Sequence, residues 1–390
     1  MSWEKVKLGD VCSKIGSGAT PRGGSTVYIE KGIAFIRSQN VYNLSFNHNG
    51  LVFINDEAAN KLKGVTIEEG DVLLNITGDS VARTCIVPSG VLPARVNQHV
   101  AIVRPKPEIL NPIFLNYYLA SPYMQSFMLG IAVGKGASRN AMTKDMIAGF
   151  EVPCPPIEVQ QEVIEILKPY DSLIENNQKQ IKLLEEAAQR LYKEWFVDLH
   201  FPGYEDVEIV DSVPEGWKIT SINMVANLKA GGDKPKTFSK KMTDENIIPV
   251  FANGITGKGL MGFTDKAVIN NPSVTISARG TVGVVFLRTE PYVPIVRLIS
   301  ATPIEDKIDI LYLYLYLTNQ NFRSTGAAQQ QITVPLLKSK NIVCPTDDVR
   351  KSFNAVITPI FNKIEILEKY INKLAESRDR LLPKLMSGEI

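Results

Sequence analysis

Apolar residues recur at alternating spacings of four and three along two stretches of this 390-residue chain. In the first, Val163, Leu167, Tyr170, Ile174, Asn177, Ile181, Leu184, Ala188, Leu191 and Trp195 share one frame. In the second, Phe353, Ile357, Ile360, Ile364, Leu367, Ile371, Leu374, Arg378, Leu381 and Leu385 share the same frame. This is a heptad stripe, and it predicts two long helices. A lone amphipathic helix cannot hide such a stripe, so the two are expected to pack on each other. The packing is assigned to Leu167, Ile174, Asn177, Ile181, Leu184 and Leu191 on one helix. On the other it is assigned to Ile357, Ile364, Leu367, Ile371, Leu374 and Leu381. Asn177 either fixes the register at some cost in stability or sits at a solvated end of the stripe. Pro169 and Pro359 fall inside the patterns. Proline removes a helical hydrogen bond and clashes one turn back, so a short helix is expected before each proline and a long one after it.

Elsewhere the pattern shortens to β-rich runs between Gly, Asn and Pro turns, as at 70–76 and 273–277. Each such region has one helix candidate before its end, Pro112 to Leu119 (stopped by Ser121-Pro122) and Ile308 to Leu317. The regions repeat. Val152-Pro153-Cys154-Pro155 is echoed 190 positions later by Ile342-Val343-Cys344-Pro345. Residues 114–119 are echoed 198 later, and Trp3, Leu8 and Val11 are echoed 214 later by Trp217, Ile222 and Val225. Each copy therefore reads as a variable globular half followed by a constant helical half. The drift in offset makes the first globular half roughly 20 residues longer, an insertion that surface loops tolerate. The expected fold class is α+β, with mixed α/β domains at 1–155 and 201–346 and helical regions at 156–200 and 347–390.

Composition adds limits. The chain has 43 Lys+Arg against 41 Asp+Glu, a net charge of +2, which excludes a uniformly basic coat protein. The balance is uneven, however. Residues 157–211 hold thirteen acids and five bases, and the two globular halves share the surplus of positive charge. That distribution suits domains facing phosphate. The stretch from Tyr170 to Trp195 would run about 39 Å as a helix, close to one turn of duplex DNA, roughly 34–36 Å. The four cysteines show no CxxC pair, and the three histidines no HExxH pair. No signal peptide follows Met1-Ser2-Trp3-Glu4-Lys5. The longest apolar stretch, 308–317, is too short to span a bilayer. A reducing cytoplasm is the expected compartment.

Candidate chemistry is sparse. Asn111-Pro112-Ile113-Phe114 is one residue away from the Asn-Pro-Pro-aromatic site of DNA amino-methyltransferases. It reads more simply as a helix N-cap followed by an N1 proline. The Gly-rich loop 16–24 lacks the Gly-Lys-Ser/Thr ending of a P-loop. What remains is loops mixing Gly with Arg, Lys, Asn and Gln, the side chains suited to phosphates and base edges. The first half offers Thr20, Arg22, Arg37, Gln39, Asn40, Arg83, Lys135, Arg139 and Asn140. The second offers Lys234, Lys236, Lys240, Lys241, Asn253, Lys258, Arg279, Gln329, Gln330 and Gln331. The lysine-rich run 229–241 reads equally as a solvated loop.

Together these features resemble the specificity subunit of type I restriction-modification systems. The resemblance spans the chain. It rests on the two-copy layout, the run 153–162 (PCPPIEVQQE) and the ending 380–390 (RLLPKLMSGEI). Pro214-Glu215-Gly216-Trp217-Lys218, Asn253-Gly254 and Arg279-Gly280-Thr281-Val282-Gly283 add to it. Trp3 departs from the pattern, lacking the Pro-Glu-Gly lead-in. The resemblance implies two target recognition domains, each reading one half of a bipartite sequence in double-stranded DNA. It implies that the long helices pack as an antiparallel coiled coil and act as spacer. It implies no catalysis in this chain, no metal and no cofactor. S-adenosylmethionine, ATP and Mg would belong to partners, namely two modification (methyltransferase) subunits and the restriction (motor-nuclease) subunits. A single-chain adenine methyltransferase built around Asn111 and a protein-only coiled-coil scaffold are the alternatives.

Overall fold

The computed structural model describes residues 3–133, 141–322 and 331–389. Contacts divide the chain into two units, residues 1–178 with 369–390, and residues 179–368. The boundary cuts both long helices, so each unit holds part of each.

In the first unit a four-stranded antiparallel sheet has the order Cys12–Ser17, Val100–Pro105, Val72–Asn75, Thr84–Ile86. Every residue of Val72–Asn75 is buried, because both faces are covered. Val72, Leu74, Ala101 and Val103 meet the helix Pro112–Ala120 through Phe114, Leu115 and Leu119. Leu73, Val100 and Ile102 point the other way, into a core shared with a second sheet through Ala34, Ile36, Ala94 and Val96. That sheet has the order Ala94–Val96, Ile33–Ile36, Val52–Ile54, Tyr28–Ile29, and its first pair is parallel. The unit is thus a helix, a sheet and a sheet in layers, each closed by alternation along one buried strand.

The second unit repeats the plan. Its sheet order is Ala226–Ala230, Ile299–Pro303, Ser273–Ile276, Val285–Arg288, beneath the helix Ile310–Thr318. Its smaller sheet again contains one parallel pair, Ile248–Phe251 with Val293–Pro294. Even the tyrosine staples match, Tyr118 OH donating to Glu151 O (3.0 Å) and Tyr316 OH to Asn341 O (2.6 Å). The inner face differs. Where the first unit has Leu73 and Ile102, the second has Thr275 and Ser300, both fully buried. Thr275 Oγ1 accepts from Arg288 Nε at 3.1 Å, and Ser300 donates to Lys229 O at 3.1 Å. The Arg288 guanidinium lies 3.6 Å from the Phe251 ring centre, and burial pushes its pKa down to about 10.

The helices run unbroken, Ile157–Phe196 and Asp347–Ser387. The expectation of a short helix ending at each proline is therefore corrected. Pro169 and Pro359 lie on exposed faces, where water can satisfy the orphaned carbonyl. The apolar stripe on the opposite face stays packed through the proline. Each unit closes its core with both helices. The first uses Val163, Ile164 and Leu167 together with Leu382, Leu385 and Met386. The second uses Ala188, Tyr192, Trp195 and Phe196 together with Phe353 and Ile357. Of the remaining packing positions, Ile364 and Leu367 are buried. Ile174, Asn177, Ile181, Leu184, Leu191, Ile371, Leu374 and Leu381 are half-buried.

Arg378 sits in the apolar stripe because it is paired. Its Nη1 lies 2.6 Å from Asp171 Oδ1, and Tyr117 OH donates to Asp171 Oδ2 at 2.5 Å. Burial, then the Asp171 carboxylate, pushes the Tyr117 phenol well above its ordinary value and keeps it a donor. The repeat equivalents in the second unit, Ala188, Leu315 and Phe361, make the same junction without charge. Arg378→Ala strands the Asp171 carboxylate in a partly buried site and is expected to cost about 2 kcal/mol. A lowered urea midpoint at unchanged slope checks this, and an unmoved midpoint refutes it.

Candidate nucleic-acid interface

In the first unit the strand Cys12–Ser17 runs into Gly18, where a Cβ would land on the carbonyl oxygens of Val96 and Asn97. Only glycine allows this approach. Gly18 N donates to Val100 O (2.9 Å) and Ala19 N to Val96 O (3.0 Å). The Thr20 hydroxyl then reaches the side-chain carbonyl of Gln98. The Gln98 amide lies 3.1 Å from His99 Nε2, and His99 Nδ1 shares a 2.6 Å hydrogen bond with Thr77 Oγ1. A relay of four side chains therefore draws together three loops that are remote in sequence.

The second unit builds the same junction from different side chains. Gly231 presses on Pro294 and Ile295, and its N–H donates to Leu298 O at 2.8 Å. Arg297 N donates to Gly231 O (3.2 Å) and Val296 N to Gly232 O (2.9 Å). Asn253 clips two loops at once, its Oδ1 accepting from Ala278 N (2.8 Å) and its Nδ2 donating to Val296 O (2.8 Å). Arg279 Nη2 meets Gln331 Oε1 at 3.0 Å.

Of the candidates in the first half, Arg37 Nη2 and Gln39 Nε2 share the Gly50 carbonyl at 2.6 and 3.2 Å. Arg22 is exposed, and Arg83 is half-buried over the Tyr42 ring at 4.6 Å. Asn40 is corrected. It is fully buried, accepts from Arg37 N at 3.0 Å and donates to Asn47 O at 2.9 Å, so it holds a turn and cannot meet a base. In the second half Lys234, Lys236, Lys240 and Lys241 are exposed, Lys234 lying 3.6 Å over the Phe238 ring. Asn253 bonds backbone through both amide atoms, so it positions loops. Lys258 is drawn to Glu368 at 2.5 Å in an exposed ion pair. Lys135, Arg139, Asn140, Gln329 and Gln330 lie outside the described residues.

Nothing described resembles a reaction centre. Asn111 caps the helix Pro112–Ala120, accepting from Ile113 N at 2.9 Å, and its own N–H is held by the buried Gln160 at 2.8 Å. Burial pushes the Cys12 and Cys85 thiols up to about 12, far from a nucleophile's range. Among the described residues no group of His, Cys, Asp and Glu could hold a metal ion. Among them, too, no helix is long and apolar enough to cross a membrane.

Two copies of one scaffold, each converging three loops at a glycine, can be set against known proteins. The type I restriction modification DNA specificity domain family matches residues 1–186 and 214–376. The chain belongs to that family. The MjaIX specificity subunit of Methanocaldococcus jannaschii is 24% identical, covering all of this chain and 93% of its own. The HindI specificity subunit of Haemophilus influenzae is 23% identical, covering all of this chain and 99% of its own. The crystal structure of a type I S subunit from M. genitalium shares the fold at 14% identity, with a TM-score of 0.56, covering 99% of this chain and 96% of the other.

For a member of this family, the residues that sequence reasoning missed are the connecting ones, Thr77, Gln98, His99 and Arg297. They stand alone in sequence, and the offset of 198 that relates His99 to Arg297 is the one signal that points to any of them. Asn253→Ala should leave the Ala278 N–H and the Val296 carbonyl unpaired and cost about 2 kcal/mol. Amide exchange checks this, because the Ala278 amide should lose protection while Val274 keeps its own. Equal protection at Ala278 in both proteins would refute the clip.

Proposed function

We propose that this chain is the sequence-reading subunit of a type I restriction-modification complex, with one recognition domain in each repeat. The domains span 1–155 and 201–346, and each reads one half of a bipartite target in duplex DNA. The helical regions 156–200 and 347–390 pack as an antiparallel coiled coil and serve as spacer. The observation that carries the reading is the doubled family match, one copy over each globular half with its helix. The exposed Arg22 and Gln39 in one unit, and Lys236, Lys240, Lys241, Arg279 and Gln331 in the other, suit phosphates and base edges.

In this reading the chain itself performs no chemistry and holds no metal or cofactor. Two modification subunits bring S-adenosylmethionine and methylate adenine, and restriction subunits bring the ATP- and Mg-dependent motor and nuclease. The acidic stretch 157–211 is unsuited to phosphate and suits partner docking. The work of the complex is cytoplasmic.

Exchanging residues 1–150 for those of a relative should change one half of the methylated sequence and leave the other half and the spacing intact. Methylation mapping of the assembled complex checks this, and a change in both halves would refute the one-domain, one-half-site reading. Arg279→Ala should flatten the salt dependence of duplex binding by about one unit of slope if it meets a phosphate, and leave the slope if it meets a base.

A further inference from the structure

The backbone hydrogen bonds of the two units fix a residue-by-residue equivalence. Gly18 N to Val100 O in one corresponds to Gly231 N to Leu298 O in the other. Asn97 N to Ile36 O corresponds to Ile295 N to Phe251 O, and Met142 N to Ile76 O corresponds to Ile332 N to Ala278 O. These pairs put His99 opposite Arg297 and Thr77 opposite Arg279. The two positions that touch in the first unit, as the Thr77–His99 hydrogen bond, are therefore both arginine in the second.

We infer that Arg297 is a base-reading residue of the second unit, specifying a guanine, with Arg279 beside it. This rests on the reading given under Proposed function. Three further observations support it. Arg297 is exposed and has no carboxylate partner among the described residues, so its planar fork stays available for the O6 and N7 acceptors of guanine. Its backbone is strained, with Val296 at φ +53° and Arg297 at φ +61°. A β-branched residue at such an angle persists only where the surroundings impose it, and such strain clusters at functional sites. The imposing contacts are identified. Gly231 and Gly232 accept from the Arg297 and Val296 amides, and Asn253 holds the Val296 carbonyl. Because Asn253 also holds Ala278, one side chain sets the spacing between the residues that precede the two arginines. Asn253 is thus a positioning residue, and Arg297 and Arg279 are what it positions. The first unit carries no cation pair at this place, so its half-site is read there by other chemistry.

The test is selection of bound duplexes from a randomised pool by the full chain assembled with its modification subunit. The wild-type complex should enrich a bipartite sequence with a fixed guanine in the half-site of the second unit. Arg297→Gln should lose that preference by about tenfold or more at one position while the other half-site stays fixed. Arg297→Lys keeps the charge without the fork, so it should retain overall binding and still relax the same position. If both variants enrich the wild-type sequence with undiminished preference, Arg297 does not read DNA and the inference is overturned. If the wild-type complex itself enriches no bipartite sequence, the proposed function falls, and this inference falls with it.

Discussion

Each unit depends on the burial of the apolar stripes of both long helices. Neither globular half closes its own core. The sheet in each is covered on one side by a short helix, and that helix is covered in turn by side chains from both long helices, Val163 and Leu167 with Leu382 and Leu385 in one case, Tyr192 and Phe196 with Phe353 and Ile357 in the other. Phe196 alone meets the rings of Tyr312 at 4.7 Å, Phe353 at 4.8 Å and Trp217 at 5.8 Å. Such packing costs several kcal/mol to remove. A recognition half therefore cannot shift freely on its helical base, and the loops it carries inherit that rigidity.

The two units hold this scaffold constant and vary what stands on it. Sheet order, the parallel pair, the glycine approach and the tyrosine staples recur. The chemistry around them does not. A charged triad at the first helix junction becomes Ala188, Leu315 and Phe361 at the second. An apolar inner face becomes Thr275, Ser300 and Arg288. A Thr–His hydrogen bond becomes a pair of arginines. Changes of the first two kinds conserve packing by exchanging whole sets of partners. The third kind is half-buried in the first unit and exposed in the second, where packing opposes it little.

Much of this was legible from sequence because periodicity reports burial directly. Every apolar position of the heptad frame from Val163 to Trp195 and from Phe353 to Leu385 is buried or half-buried, although the frame passed over the buried Ile164, Tyr192 and Leu382, and the repeat offsets marked the two halves. Pro169 and Pro359 misled because a proline's effect depends on which face it occupies, and local sequence does not state that. Asn40 misled for a related reason, and Asn253 carries a second role that local sequence does not state. An amide suited to a base edge is equally suited to a backbone carbonyl, and the carbonyl and amide that Asn253 holds lie 43 and 25 residues away. His99 and Thr77 are 22 apart and become neighbours only when the sheet forms.

Exposure and strain together say where reading chemistry can sit on this scaffold. A loop that must present a side chain to a rigid duplex cannot afford rotational freedom at its base, since each immobilised side chain costs binding free energy. The first unit lowers that cost by hydrogen-bonding its side chains to one another, from Thr20 through Gln98 and His99 to Thr77. The second does it through backbone, with two left-handed residues fixed by glycine carbonyls and one asparagine. The relay occupies the polar atoms that it orders, whereas the clip leaves the side chain of Arg297 unoccupied. The same scaffold thus offers two ways of ordering its loops, which leave a donor fork in one unit and a hydroxyl–imidazole pair in the other.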